Sequence, residues 1–220
     1  MSEPPQPPQP PANTADVKQD LHTLRSLQES AAGCRECPLG AQATQTVWGE
    51  GPLRAPLMLV GEQPGDQEDR QGHPFVGPAG QLLDRALRDL GWPREALYLT
   101  NAVKHFKFEM RGKRRMHKTP AQREAAACLH WLESEIHHVK PQAVIALGAT
   151  AARQLMGFAV PVMAQRGHWL ERQDGLRVLV TLHPSALLRA PDDEREAAYR
   201  AWLDDLRQAT KLIGRPRAGA

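Results

Sequence analysis

PLMLVGEQPGD, residues 56–66, reads as a buried strand that runs straight into a polar, glycine-containing turn. Its first five residues, Pro56–Val60, are all apolar and show no in–out alternation. A strand covered on both faces of a parallel sheet has that pattern. Three further runs, nearly all apolar, repeat it: Leu97–Thr100 (LYLT) leads into Asn101, Ala143–Leu147 (AVIAL) into Gly148-Ala149-Thr150, and Val178–Leu182 (VLVTL) into His183-Pro184-Ser185. Helical patterns lie between them, over Gln81–Leu90 with Gly91 as its stop, Ala121–Val139, Ala149–Met156 with Gly157 as its stop, and Asp193–Ile213. Strands alternating with helices predict an α/β fold of a single domain, a central four-stranded parallel sheet flanked by helices. In such sheets the ligand crevice lies beyond the carboxyl ends of the strands. Gly, Pro, Asn and Ser are ordinary turn residues. Four strand-end turns that also carry Glu62, Gln63, Asp66, Asn101 and His183 point instead to one functional crevice.

The 220 residues suffice for one sizeable core, with 41% hydrophobic residues. No apolar run is long enough to span a bilayer, and no basic segment followed by an apolar one marks a secretory signal. A cytoplasmic, monomeric protein without membrane contact is expected. Residues 1–16 are rich in Pro and Gln and read as a disordered tail. Residues 214–220 read as a second loose end, so the domain is expected over 17–213. Three cysteines outside an export context suggest reduced thiols or ligands rather than a disulfide framework. A net charge of +3 does not by itself identify a nucleic-acid binder, but the basic run Arg111–Arg115 is a local cationic patch.

Four stretches together carry a resemblance: GEQPGDQED (61–69), PFVGPAGQLLD (74–84), TNAVKHFKF (100–108) and LHPSALLR (182–189). They resemble the family 4 uracil-DNA glycosylases, and KRRMHKTP (113–120) looks like that family's cross-linking branch, the UdgX type. The resemblance runs from about Cys34 to the final helix. It implies the uracil-DNA glycosylase fold, excision of uracil from DNA including single-stranded DNA, and a [4Fe–4S] cluster.

Cys34-Arg35-Glu36-Cys37 is a C-x-x-C pair, which alone serves zinc, a redox disulfide or an iron–sulfur cluster. In the related enzymes a cysteine follows the T-N-x-x-K sequence, and here that position is His105. The resemblance therefore implies a Cys3His ligand set of Cys34, Cys37, Cys128 and His105 for the cluster. Imidazole ligates cluster iron in Rieske centres. Zinc remains open on ligand chemistry alone.

A flipped uracil presents an acceptor at O4 and a donor at N3–H, and the amide of Asn101 complements both. Phe75 offers a stacking face, and Gln63 and Asp66 line the same turn. The resemblance implies that His183 hydrogen-bonds uracil O2 and so stabilises the departing anion. It places Glu62 on the other side of the reacting centre, to stabilise the sugar cation or act as a base. Ser185 and the Gly148–Thr150 backbone are expected to contact phosphate. Leu187 or Leu188 resembles the wedge that fills the gap left by the flipped nucleotide. Lys113-Arg114-Arg115-Met116-His117 reads as a basic loop. Lys113 and Arg115 are expected to grip the DNA backbone. The neutral imidazole of His117 is expected to attack the sugar C1′ and leave a covalent protein–DNA adduct. The alternatives are an ordinary turnover glycosylase and a non-catalytic uracil-DNA or single-strand binding module.

Overall fold

The structure, a computed structural model, describes residues 14–213. The expected tails at 1–13 and 214–220 lie outside those residues. Positions 14–16, read from sequence as tail, are instead the first turn of helix α1 (Thr14–Ala32).

The strands are β1 (Leu57–Gly61), β2 (Tyr98–Asn101), β3 (Phe108–Arg111), β4 (Arg114–His117), β5 (Ala143–Leu147), β6 (Trp169–Glu171) and β7 (Arg177–Thr181). The helices after α1 are α2 (Leu39–Gln42), α3 (Asp66–Gln71), α4 (Pro78–Leu90), α5 (Gln122–Val139), α6 (Ala149–Met156), α7 (Val162–Gln165), α8 (Pro184–Leu188), α9 (Asp192–Arg207) and α10 (Thr210–Ile213). The central sheet runs β2-β1-β5-β7-β6. Its first four members are the four strands expected from sequence, all parallel. The expected four-stranded sheet is corrected to five by β6, which pairs antiparallel with β7. This edge strand is three residues long and only half-buried, so it lacks the apolar run by which the other four announce themselves. The segment read as a basic loop is also corrected: residues 108–117 form a two-stranded antiparallel hairpin, β3–β4.

Strand alternation divides the core into two layers. Met58, Val60, Val144, Ala146, Val178 and Val180 face one side, with α1, α5 and α6. Leu57, Leu59, Ile145, Leu147 and Leu179 face the other, with α4 and α9. Helices α4 and α6 stop where expected, on Gly91 and Gly157 in the left-handed conformation (φ 67 and 78). The long last helix expected from sequence is broken into α9 and α10.

A buried ion pair fixes the end of β2. Lys104 Nζ donates to Glu135 Oε2 at 2.6 Å, to Thr100 Oγ1 at 2.7 Å and to the Asn101 carbonyl at 2.8 Å. Glu135 Oε1 in turn accepts from the Gly49 amide and the Tyr98 hydroxyl. Both charges are sealed from solvent, so removing one partner would strand the other.

Candidate active site

Gly61 and Asn101 sit side by side in register at the ends of β1 and β2. A Cβ on Gly61 would lie 2.3 Å from Asn101 Oδ1, 2.7 Å from Phe75 Cζ and 3.4 Å from His183 Nε2. Three groups from three different turns therefore converge on one point, which stays open because residue 61 has no side chain. The cavity there is about 310 Å3 and is lined by Gln63, Asp66, Phe75, Asn101, His117 and His183 among others.

Phe75 is held in the left-handed region (φ 56), uncommon for a bulky residue. The Arg94 guanidinium donates to the carbonyls of Pro74 and Phe75 and fastens this turn. Gly80 lets the α4 backbone approach, since a Cβ there would lie 1.9 Å from the Phe75 carbonyl oxygen.

His183 precedes α8, and its Nδ1 accepts the Ser185 amide proton at 3.2 Å. Burial pushes the imidazole pKa down to about 4, and His117 and Arg189 push the same way. The ring is thus neutral at physiological pH. With Nδ1 accepting, its single proton sits on Nε2, the nitrogen facing the cavity. His183 is thereby prepared as a hydrogen-bond donor.

Opposite stands His117, the last residue of β4, half-exposed, with Nε2 3.4 Å from Glu62 Oε1. The other Glu62 oxygen accepts from the Thr150 hydroxyl at 2.7 Å. Burial lowers the His117 pKa, Glu62 opposes this, and Arg189 adds to the lowering.

The model of the uracil DNA glycosylase superfamily matches residues 48–207. The chain belongs to the uracil-DNA glycosylase superfamily. It is 38% identical over 188 residues to the type-4 uracil-DNA glycosylase of Thermotoga maritima, covering 85% of this chain and 93% of that protein. It is 37% identical over 179 residues to the type-4 enzyme of Pyrobaculum aerophilum, covering 76% and 86%. A type-5 uracil-DNA glycosylase of the same organism is 31% identical over 171 residues, covering 68% and 72%.

Several residues take other places in this superfamily member than the sequence suggested. Gln63 lines the cavity, but its amide is engaged elsewhere. Its Oε1 accepts from the Lys107 amide at 3.0 Å, and its Nε2 donates to the carbonyls of Lys107 and Lys118 at 3.2 and 3.0 Å. It fastens both ends of the β3–β4 hairpin to the β1 turn. Arg115, expected on DNA phosphate, is instead largely buried against α3. It donates to Asp66, to Asp69 Oδ2 at 2.6 Å and to Thr44 Oγ1 at 3.0 Å, and packs over the Phe108 ring. Asp66 is correspondingly engaged by Arg115 and Arg70. Lys113 and Arg114 are exposed at the hairpin tip. Ser185 contacts the His183 ring with both its amide and its hydroxyl, rather than standing free for phosphate. Leu187 is buried in the core, whereas Leu188, beside Arg189, is 39% exposed. The clamp formed by Gln63 and Arg115 escaped sequence reasoning, because polar side chains beside a site are read first as ligand contacts.

The cysteine region has the donor chemistry for a metal group. Cys34 and Cys37 follow α1 and pack on the same core layer as Cys128 of α5. A Cβ on Gly40 would lie 2.3 Å from the Cys34 carbonyl oxygen and 3.3 Å from His105 Cε1, so the cysteine turn lies against His105. The Thr46 hydroxyl donates to the Ala31 carbonyl and so accepts from His105 Nε2 at 2.9 Å. That leaves the lone pair of His105 Nδ1 without a hydrogen-bond partner among the described residues. The Lys104 amide donates to Cys128 Sγ at 3.2 Å. The three thiols are free, and burial pushes that of Cys128 up to about 11, with Lys104 opposing. Among the described residues no three such groups are drawn to metal-binding spacing. None of the described helices is long and apolar enough to cross a membrane.

Proposed function

We propose that this protein excises uracil from DNA and is then captured on the abasic sugar through His117. The observation that carries the reading is the convergence of Asn101, Phe75 and His183 on the side-chain-free Gly61, with His117 lining the same cavity and Glu62 beside His117. Asn101 pairs with the O4 and N3–H edge of a flipped uracil while Phe75 covers its face. The His183 Nε2–H donates to O2 as the C1′–N1 bond breaks and its electron pair leaves with uracil. Glu62 faces the cationic sugar. The lone pair of the neutral His117 ring then forms a bond to C1′, and the ring proton passes to Glu62 or solvent. Uracil takes up a proton from solvent. The exposed Lys113 meets phosphate electrostatically, and Leu188 fills the vacated stack. The substrate includes single-stranded DNA, and the protein acts as a cytoplasmic monomer.

A [4Fe–4S] cluster on Cys34, Cys37, Cys128 and His105 belongs to this reading. The donor set and the lone pair of His105 Nδ1 support it. When bound, the group ties the segment after α1 to the loop after β2 and to α5. Iron and acid-labile sulfide in the purified protein, with broad visible absorbance, is the expected result. Stoichiometric zinc in a colourless protein would replace the cluster.

The function is tested by mixing the protein with a uracil-containing oligonucleotide and boiling in detergent. A shifted band with released uracil is expected. Released uracil without the band would make this a turnover glycosylase. Binding without release would make it a non-catalytic module.

A further inference from the structure

Glu62 immediately follows β1, and its carboxylate is held between two elements that are far apart in sequence. Oε2 accepts from the Thr150 hydroxyl at 2.7 Å, and Oε1 lies 3.4 Å from His117 Nε2. Thr150 is the second residue of α6. The chain turns into that helix through Gly148, whose φ of 90 and close approach to His183 (a Cβ would lie 3.1 Å from that of His183) bring the helix start against the cleft. We propose that Thr150 is a positioning residue for the glycosylase reaction, holding one Glu62 oxygen so that the other faces the reacting sugar and His117.

The physical case has three parts. A glutamate side chain has several rotatable bonds, and its two oxygens are equivalent until a donor distinguishes them. A threonine has a stiff χ1, so its hydroxyl is a fixed donor rather than a mobile one. The carboxylate also sits at the first turn of α6, where the helix dipole favours negative charge. The same geometry argues against the Gly148–Thr150 turn as a phosphate contact, which the sequence suggested. Glu62 already places negative charge at that helix start, and a phosphate there would meet like charge.

The inference rests on the proposed uracil excision, but not on the covalent step. It is tested by single-turnover uracil release at saturating protein, with DNA affinity and its salt dependence measured alongside. Thr150→Val keeps the shape and removes the donor; Thr150→Ser keeps the donor. Thr150→Val should slow release about 10–100-fold, the range for a lost hydrogen bond to a charged group. Its Kd and salt slope should match wild type, and Thr150→Ser should recover most of the rate. Wild-type release by a folded Thr150→Val would overturn the proposal. A weakened Kd with a smaller salt slope at unchanged rate would overturn it in favour of a phosphate contact. Failure of a folded Thr150→Ser to recover the rate would also overturn it. Uracil release without any adduct in the wild type would remove only the capture step and leave this comparison readable. No release by the wild type would overturn both.

Discussion

The two walls of the cleft are built in different ways. One wall is made of strand ends: Gly61, Asn101 and the turn after β7 grow directly out of a sheet whose central residues are wholly buried. The other is the β3–β4 hairpin, which among the described residues pairs only with itself and is largely exposed. It is tied to the body by polar side chains, with Gln63 at its base and Arg115 against Asp66 and Asp69. Under the proposed function, recognition and bond breaking would belong to the sheet-borne wall, whereas capture would belong to the appended one. The two functions should therefore come apart under mutation.

The largest effect expected on the sheet-borne wall comes from His183→Ala, which removes the donor proposed for the leaving uracil. Single-turnover release should fall about 10²–10³-fold, with adduct formation falling in step. A change in adduct alone would break the comparison. A smaller effect is expected on the other wall from Arg115→Ala. Loss of charge-assisted hydrogen bonds should loosen the hairpin and slow adduct formation about tenfold or more, while uracil release stays near wild type. Equal loss of both would mean that the hairpin also serves bond cleavage.

The smallest effect is one of pH. Burial and Arg189 lower the His117 pKa against the pull of Glu62, and a lowered value keeps the ring neutral further into acid. Adduct formation should hold steady from alkaline pH down to about 6.5, the ordinary imidazole value, and fall only below it. Rate measurements on protein that stays folded across the range check this. An increase on acidification would contradict attack by a neutral imidazole.

The strand-end wall was legible in the sequence because each of its residues follows a run of consecutive apolar residues. PLMLV before Glu62 and VLVTL before His183 locate their turns by pattern alone. The short edge strand β6 lacks such a run, and so does the hairpin, whose charged residues, broken only by single apolar ones, read equally well as a solvated loop. The partners of polar side chains were the least legible part. Gln63, Arg115, Ser185 and Thr150 all flank the cleft, yet each is held by another protein group. Only the folded geometry distinguishes a side chain that touches substrate from one that orients its neighbour.

The division between the walls is tested most directly by His117→Ser on a uracil-containing oligonucleotide, reading uracil release and detergent-stable adduct in the same reaction. The substitution leaves Asn101, His183 and Glu62 in place and opens room for water beside the sugar. The expected result is released uracil, an alkali-labile abasic site and no shifted band after boiling. A shifted band would mean that another residue is the nucleophile. Loss of both uracil release and adduct would mean that His117 takes part in breaking the bond, and that the two walls do not divide the reaction as described.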